Sequence, residues 1–390
     1  MIRRSVLVAF VAAALVATPA AGAAEPAPSA GTWLVSQFTN GDRLVNFPGG
    51  PGDPGLTADG VYGLAAAGVG QSTSAKAMAW LSANLPEFIG KGEESFTGPI
   101  VKIALAAQTQ GVDARKFGGV DLIKRLGELQ DPVGRFRDLG DPEWDESNAF
   151  TQALAIIVLH RAAVPVDKAV AFQVSTQCPD GGFPIAFGES VCKSDVDATA
   201  MVLQALPAAG VQNPAALAWF VKQQQADGGF PSATGPANAN TTGLAVGALV
   251  AGGAVQAADK AVAYLRTLQV GCAGPEAQRG AIAYDSTGFE AGKAVRATAQ
   301  GMLGLARVSL ADVSAASASA GVPAIDCATT PSPEPSAVPS APLPAGPAEA
   351  PVDPPLAVTG PDQAVPLTLF GSFAVLAGAV LVLVSRRRKG

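Results

Sequence analysis

A seven-residue phrase occurs twice in this chain. Gln177 to Phe183 reads Gln-Cys-Pro-Asp-Gly-Gly-Phe, and Gln224 to Phe230 reads Gln-Gln-Ala-Asp-Gly-Gly-Phe. Both fit Q-x-x-D-G-G-F, with Asp180 and Asp227 lying 47 residues apart. A period of that size means one supersecondary unit copied along the chain, and it limits the fold more than any other feature. Each copy has a mechanical reading. Asp-Gly-Gly supplies a turn that needs positive φ, the aromatic pins the turn to a core, and the Gln hydrogen-bonds backbone exposed there. Gln177, Asp180, Gly181, Gly182 and Phe183, with Gln224, Asp227, Gly228, Gly229 and Phe230, are therefore corners of helix pairs. They are architecture, not chemistry.

Degenerate copies extend the pattern in both directions. Helical stretches before the corners carry an aromatic beside an aliphatic at Trp33-Leu34, Trp80-Leu81, Trp219-Phe220 and Tyr264-Leu265, with Phe172 in the fourth unit. Phe172, Trp219 and Tyr264 each precede a Gln (Gln177, Gln224, Gln269) by five residues. The third unit keeps only Leu126 to Gln130, then Asp131, Gly134, Arg135 and Phe136. After each corner comes an Ala/Gly/Leu-rich stretch opened by capping residues. These openings fall near Thr57-Ala-Asp59, Ser95-Phe-Thr97, Asp145-Glu-Ser147, Ser194 to Asp197, Asn238-Ala-Asn240 and Glu290, with Pro99 suited to a first turn. The pattern predicts six apolar helices alternating with six amphipathic ones. A helix apolar all round must be buried, so the small-residue set forms an inner ring and the aromatic set an outer one.

The corners resemble the repeat of the prenyltransferase and squalene-cyclase superfamily. That resemblance implies an all-α fold, the α6/α6 toroid, over residues 31–310. It leaves function open, because this toroid serves cyclases, protein prenyltransferases, thioester domains and cobalamin carriers.

The flanks address the chain to the cell surface. Arg3 and Arg4, the apolar run Val6 to Val16 and the small-residue site Ala21-Gly-Ala23 read as a secretory signal over residues 1–23. A net charge of −6 with no long basic run in the repeat region argues against nucleic acid as a partner. The four cysteines allow three pairings, and proximity favours Cys178 with Cys192 and Cys272 with Cys327. With no C-x-x-C and one His in the chain, zinc is not expected. Residues 311–355 form a linker, with ten prolines between Pro331 and Pro355 that favour an extended spacer. Then come Leu356-Ala357-Val358-Thr359-Gly360, an apolar run over 364–384 long enough for one transmembrane helix, and Arg386 to Lys389. This trio resembles a sortase sorting signal of the Leu-Ala-x-Thr-Gly type. The resemblance implies sortase as processing partner, cleavage after Thr359, and linkage to a cell-wall precursor. The alternative is an uncleaved single-pass anchor in the membrane.

Chemistry has one sharp candidate. Ser194-Asp-Val-Asp-Ala-Thr-Ala-Met201 resembles the Asp-x-Asp-Asp-Thr-Ala motif of class II terpene cyclases, with Asp197 where the proton-donating acid would stand. Asp195 fills a second position, but Ala198 replaces the adjacent Asp, so the motif is incomplete. The alternative reading is that Asp195 and Asp197 cap a helix, as Asn238 and Asn240 do. Prenyltransferase zinc ligands are lacking: His160 stands alone in an apolar run and reads as a packed residue. Gly271 to Gln278 has the wrong spacing for a thioester site. What remains is the rim where the inner helices begin. Tyr62, Phe96, Trp144, Asp145, Asp197, Asn240, Tyr284 and Arg296 gather there, a mix suited to a small organic ligand, glycan or protein. A Glu94–Asp145 pair is the polysaccharide-acting alternative. The sequence thus points to a non-catalytic extracellular binding module without metal or cofactor; cobalamin is the weaker alternative, since its carriers pair the toroid with a β-rich second domain.

Overall fold

The computed structural model describes residues 25–140 and 145–327. The signal segment, Trp144, most of the proline-rich linker and the Leu356–Gly360 signal with its apolar run lie outside the described residues. Six hairpins follow one another. The first is α1 (Pro26–Ser36) with α2 (Pro54–Ala66), and the second is α3 (Gln71–Ala83) and α4 (Leu85–Ile89) with α5 (Thr97–Thr109). Next come α6 (Leu122–Glu128) with α7 (Ala149–Arg161), and α8 (Asp167–Ser175) with α9 (Val196–Ala208). The last two are α10 (Pro214–Val221) with α11 (Ala239–Ala251), and α12 (Val255–Leu268) with α13 (Ala291–Leu305). The inner helices pack in the order α2, α5, α7, α9, α11, α13, and α13 returns to α2. That contact closes the ring. Among the described residues there is no strand, only isolated bridges at the corners. No helix among them is long and apolar enough to cross a membrane.

The inner helices start where the chain offers caps, although some caps differ from the expected ones. Asp53 and Asn148 hold the first-turn amides of α2 and α7, the latter in a reciprocal capping box with Thr151. Thr57, Asp59 and Asp145 are not caps, and α5 and α13 begin at Phe96 and Glu290 with no bond from either side chain to a first-turn amide. Asp195 and Asn238 cap α9 and α11, while Asp197 and Asn240 lie one residue inside the helices, in the first turn.

The corners work through both their glycines and their glutamines. Gly181, Gly228, Gly134 and Gly280 all have positive φ. A side chain on Gly228 would run into the Lys260 carbonyl of the next outer helix, closer than real Cβ atoms come. The amides of Phe136, Phe183, Phe230 and Ile282 turn inward onto Gln152, Thr199, Thr242 and Thr298 of the following inner helix. Gln177 and Gln224 reach both their own corner glycine's carbonyl and the next outer hairpin, at Asn213 and the Ala257 carbonyl. Gln269 makes the same pair of bonds to Gly280 and Pro26, 2.7 Å from the latter. So the last corner clamps the first helix, and the seam is built like any other repeat junction. Trp33 adds a bond to the Ala277 carbonyl across the same seam.

The chain after α13 closes one end of the barrel. It passes Gln204, which accepts from Leu310 N–H, and Arg161, whose guanidinium donates to the carbonyls of Leu310, Ala311 and Val313. It then bonds Thr109, Gly68 and Gly70 before meeting Thr32 at Pro323. Packed structure thus extends from Pro26 to the Cys272–Cys327 bridge, on both sides of the 31–310 span. Both disulfides form as proximity favoured, Cys178–Cys192 and Cys272–Cys327. Such bridges persist in oxidising, extracellular surroundings.

Candidate functional site at the open mouth of the ring

The tail crosses the end of the barrel where the inner helices finish, and the inner-helix N-termini gather at the other. Side chains four apart share a helix face, so aligning the inner helices by their caps yields layers down the barrel. The first layer is Gly55, Gly98, Phe150, Asp197, Asn240 and Gly292. Four residues deeper lie Asp59, Lys102, Leu154, Met201, Leu244 and Arg296. Contacts join three members of this deeper layer, Asp59, Lys102 and Arg296. Lys102 Nζ is 2.7 Å from Asp59 Oδ1, and Arg296 Nη1 is 3.7 Å from Asp59 Oδ2. Gln300 also donates to Asp59, and Arg296 reaches Asn46 and Asp53. The mouth is therefore two-faced. Glycines stand above a neutralised charge network on the α13–α2–α5 side; Phe150, Asp197 and Asn240 stand above Leu154, Met201 and Leu244 on the other.

Asp197 is the most perturbed group on the rim. It is 9% exposed, and its Oδ1 has no hydrogen-bond partner. Burial pushes its carboxyl up to about 7, the nearby Asp195 charge adds to the rise, and the Thr241 side chain opposes it. Asp195 is spent on the Ala198 amide at 2.8 Å, and burial holds its own carboxyl above the ordinary value. On the adjacent helix, Asn240 Oδ1 is likewise buried without a partner. Tyr284 lies beside this pair, its carbonyl accepting from Ala239 N–H at the start of α11. Burial, then the Asp197 charge, raise the Tyr284 hydroxyl, and Lys293 sits 5.4 Å over its ring.

The other expected rim residues are placed differently. Tyr62 is buried deeper in the barrel, donating to the Lys102 carbonyl. Phe96 is half-buried and directly precedes α5. Asp145 does not join Asp197: Arg135 and Arg137 take it at 3.1 and 3.3 Å. Burial alone would raise its carboxyl, but hydrogen bonds from Ser147 and Asp138 and the Arg135 charge hold it below the ordinary range. Arg296 is tied into the Asp53–Asp59 network. His160, expected to be packed, is exposed. Phe150, Asp59, Lys102 and Gln300 were missed; counting from the caps instead of the corners would have found them.

This closed ring of six helix hairpins is an α/α toroid. A type II terpene cyclase from Scytonema, solved with its substrate geranylgeranyl dihydroxybenzoate, superposes with a TM-score of 0.54 at 14% identity, over 72% of this chain and 95% of that one. An alpha-amylase from Clostridium perfringens matches with a TM-score of 0.55 at 10% identity, over 74% and 99%. A protein from Actinoplanes matches at 0.51 and 18%, over 72% and 98%. At these identities the likeness is one of fold. No family model matches the sequence, and no curated protein matches it.

Proposed function

We propose that this protein is an exported toroid, displayed at the cell surface, that binds a small organic ligand at the rim of its inner-helix N-termini and does not transform it. The observation that carries the reading is the pair of unpartnered buried oxygens, Asp197 Oδ1 and Asn240 Oδ1, at equivalent positions of neighbouring inner helices. Buried polar atoms are satisfied in nearly all folded proteins, so of the ten such orphans among the described residues, two at the same position of adjacent inner helices mark a place where an occupant supplies the donors. Ala198 supports binding over turnover. It is fully buried where the resembling motif has its adjacent acid, so Asp197 has only the backbone-bonded Asp195 as a carboxylate neighbour.

Acid catalysis is the second reading, favoured by a carboxyl pushed up to about 7 in a buried site. The test incubates the protein with squalene, polyprenyl diphosphates and wall glycans alongside Asp197→Asn. Binding without product supports the first reading; turnover lost in the variant establishes the second. Surface display rests on the Arg3–Ala23 and Leu356–Lys389 segments, with sortase as processing partner and a wall precursor as acceptor. Thr359→Ala moves the protein from the wall to the membrane fraction if sorting operates. Release of the wild type by detergent alone overturns it.

A further inference from the structure

We propose that the ligand of the mouth is an organic ammonium, seated between Asp197 and Asn240 with Tyr284 and Phe150 at the same rim. The inference rests on the binding reading above and names the chemistry of its ligand. An anion is the first alternative, since helix N-termini favour negative charge. Here, however, every inner helix but α13 already has at least one first-turn amide bound by a side chain. Asp53 holds Leu56 N–H, Asp138 holds Thr97 N–H, and Asn148 holds those of Phe150 and Thr151. Asp195 and Asn238 hold Ala198 and Thr241, and the Tyr284 carbonyl holds Ala239. An arriving anion would meet the carboxyls of Asp195 and Asp197.

The vacant partners are acceptors instead. Asp197 Oδ1 and Asn240 Oδ1 both ask for a donor or a cation. Among the described residues no ion pair reaches Asp195 or Asp197. Lys193 bears on Asp195, and Lys293 is drawn off to Glu290 and the Tyr284 ring. From α11 the site receives Thr241 and Asn240, neither titratable; the equivalent first-turn residue of α7 is Phe150. Tyr284 and Asp285, at the turn before α13, complete the ionisable set. A neutral hydroxyl would satisfy one oxygen but leave the buried charge unbalanced, whereas an ammonium balances that charge and a hydroxyl on the same ligand can donate to the Asn240 oxygen. Aromatic rings beside carboxylates are the usual surroundings of such ions. On entry of the cation, Asp197 gives its proton to solvent and the ammonium takes that proton's place.

The probe is choline, whose charge is permanent, so only the protein titrates. Its uncharged carbon isostere, 3,3-dimethylbutan-1-ol, is the control. Calorimetry on the full chain is expected to show choline binding and no isostere binding. Affinity for choline rises about tenfold per pH unit below about pH 7, where binding releases one proton, and levels off above it, where none is released. Asp197→Asn weakens choline about tenfold or more. Asn240→Leu weakens it several-fold and keeps the pH slope, which secures the test should the Asp197 variant fold poorly. Equal binding of the isostere, affinity that falls as pH rises, or no choline binding overturns the ammonium inference. If a neutral wall glycan binds in an Asp197-dependent way, the mouth remains a binding site and only the ligand class is wrong.

Discussion

Removing the Asp197 charge should stabilise the protein at neutral and alkaline pH. The carboxyl rises from its ordinary 3.8 to about 7 on folding, chiefly because burial strips its water, with Asp195 adding repulsion. The folded state therefore holds the proton more tightly than the unfolded chain. Its contribution to stability is complete below about pH 4, falls as pH rises, and is gone above about pH 7. A rise from 3.8 to about 7 corresponds to roughly 4 kcal/mol across that window. Asp197→Asn abolishes this titration and retains the shape. Its amide stays buried at every pH, so that cost cancels from the pH dependence. Urea unfolding of both proteins from about pH 4 to about pH 8.5 is the assay. The variant is expected to gain on the wild type by about 4 kcal/mol between the two ends, most of it between pH 5 and 7. Stability curves that stay parallel would show that Asp197 is solvated, and the buried-orphan argument would fall with them.

Three further outcomes follow from the ring's construction. Gly228→Ala, at φ 93° and against the Lys260 carbonyl, should cost about 3 kcal/mol or more, whereas Gly119→Ala, at φ 79° with open space around it, should cost about 1 kcal/mol; denaturant midpoints compare them. Gln269→Ala strips the donor from the Pro26 and Gly280 carbonyls at the seam and should cost about 1–2 kcal/mol, with amide exchange rising first in α1. Cys327→Ser should expose the segment after Leu305 to limited proteolysis while the helices of the ring stay protected.

The architecture was legible because each repeat states its corner in residues that admit few substitutes. Gly228 needs both a positive φ and an absent Cβ, and Gln224 needs an amide long enough to bridge two hairpins. Periodicity also told inner helices from outer ones. The first helix was clear from Trp33, yet its junction with the last corner was not, because Gln269 is followed by Val270-Gly-Cys in place of the Asp-Gly-Gly phrase. The mouth was harder to read. Asp197 was singled out by a motif, but its environment depends on Asn240, Thr241 and Tyr284, which come from two other hairpins. Tyr62 and Asp145 illustrate the limit: both begin near the rim, and only packing decides that one turns down the barrel and the other meets Arg135. The tail across the barrel end carried no signal, since backbone carbonyls held by Arg161 leave no mark on residue choice.

The Cys272–Cys327 bridge has a mechanical consequence. It closes a covalent loop with a sequence separation of 55 residues, and that loop contains α13 and the whole tail. A pull on the chain beyond Cys327 therefore never runs through the tail. Tension passes directly to Cys272, four residues past the end of α12 and three past the Gln269 clamp on Pro26. The ring takes the load at the seam between its last corner and its first helix, and the segment that stops its lower end stays unloaded.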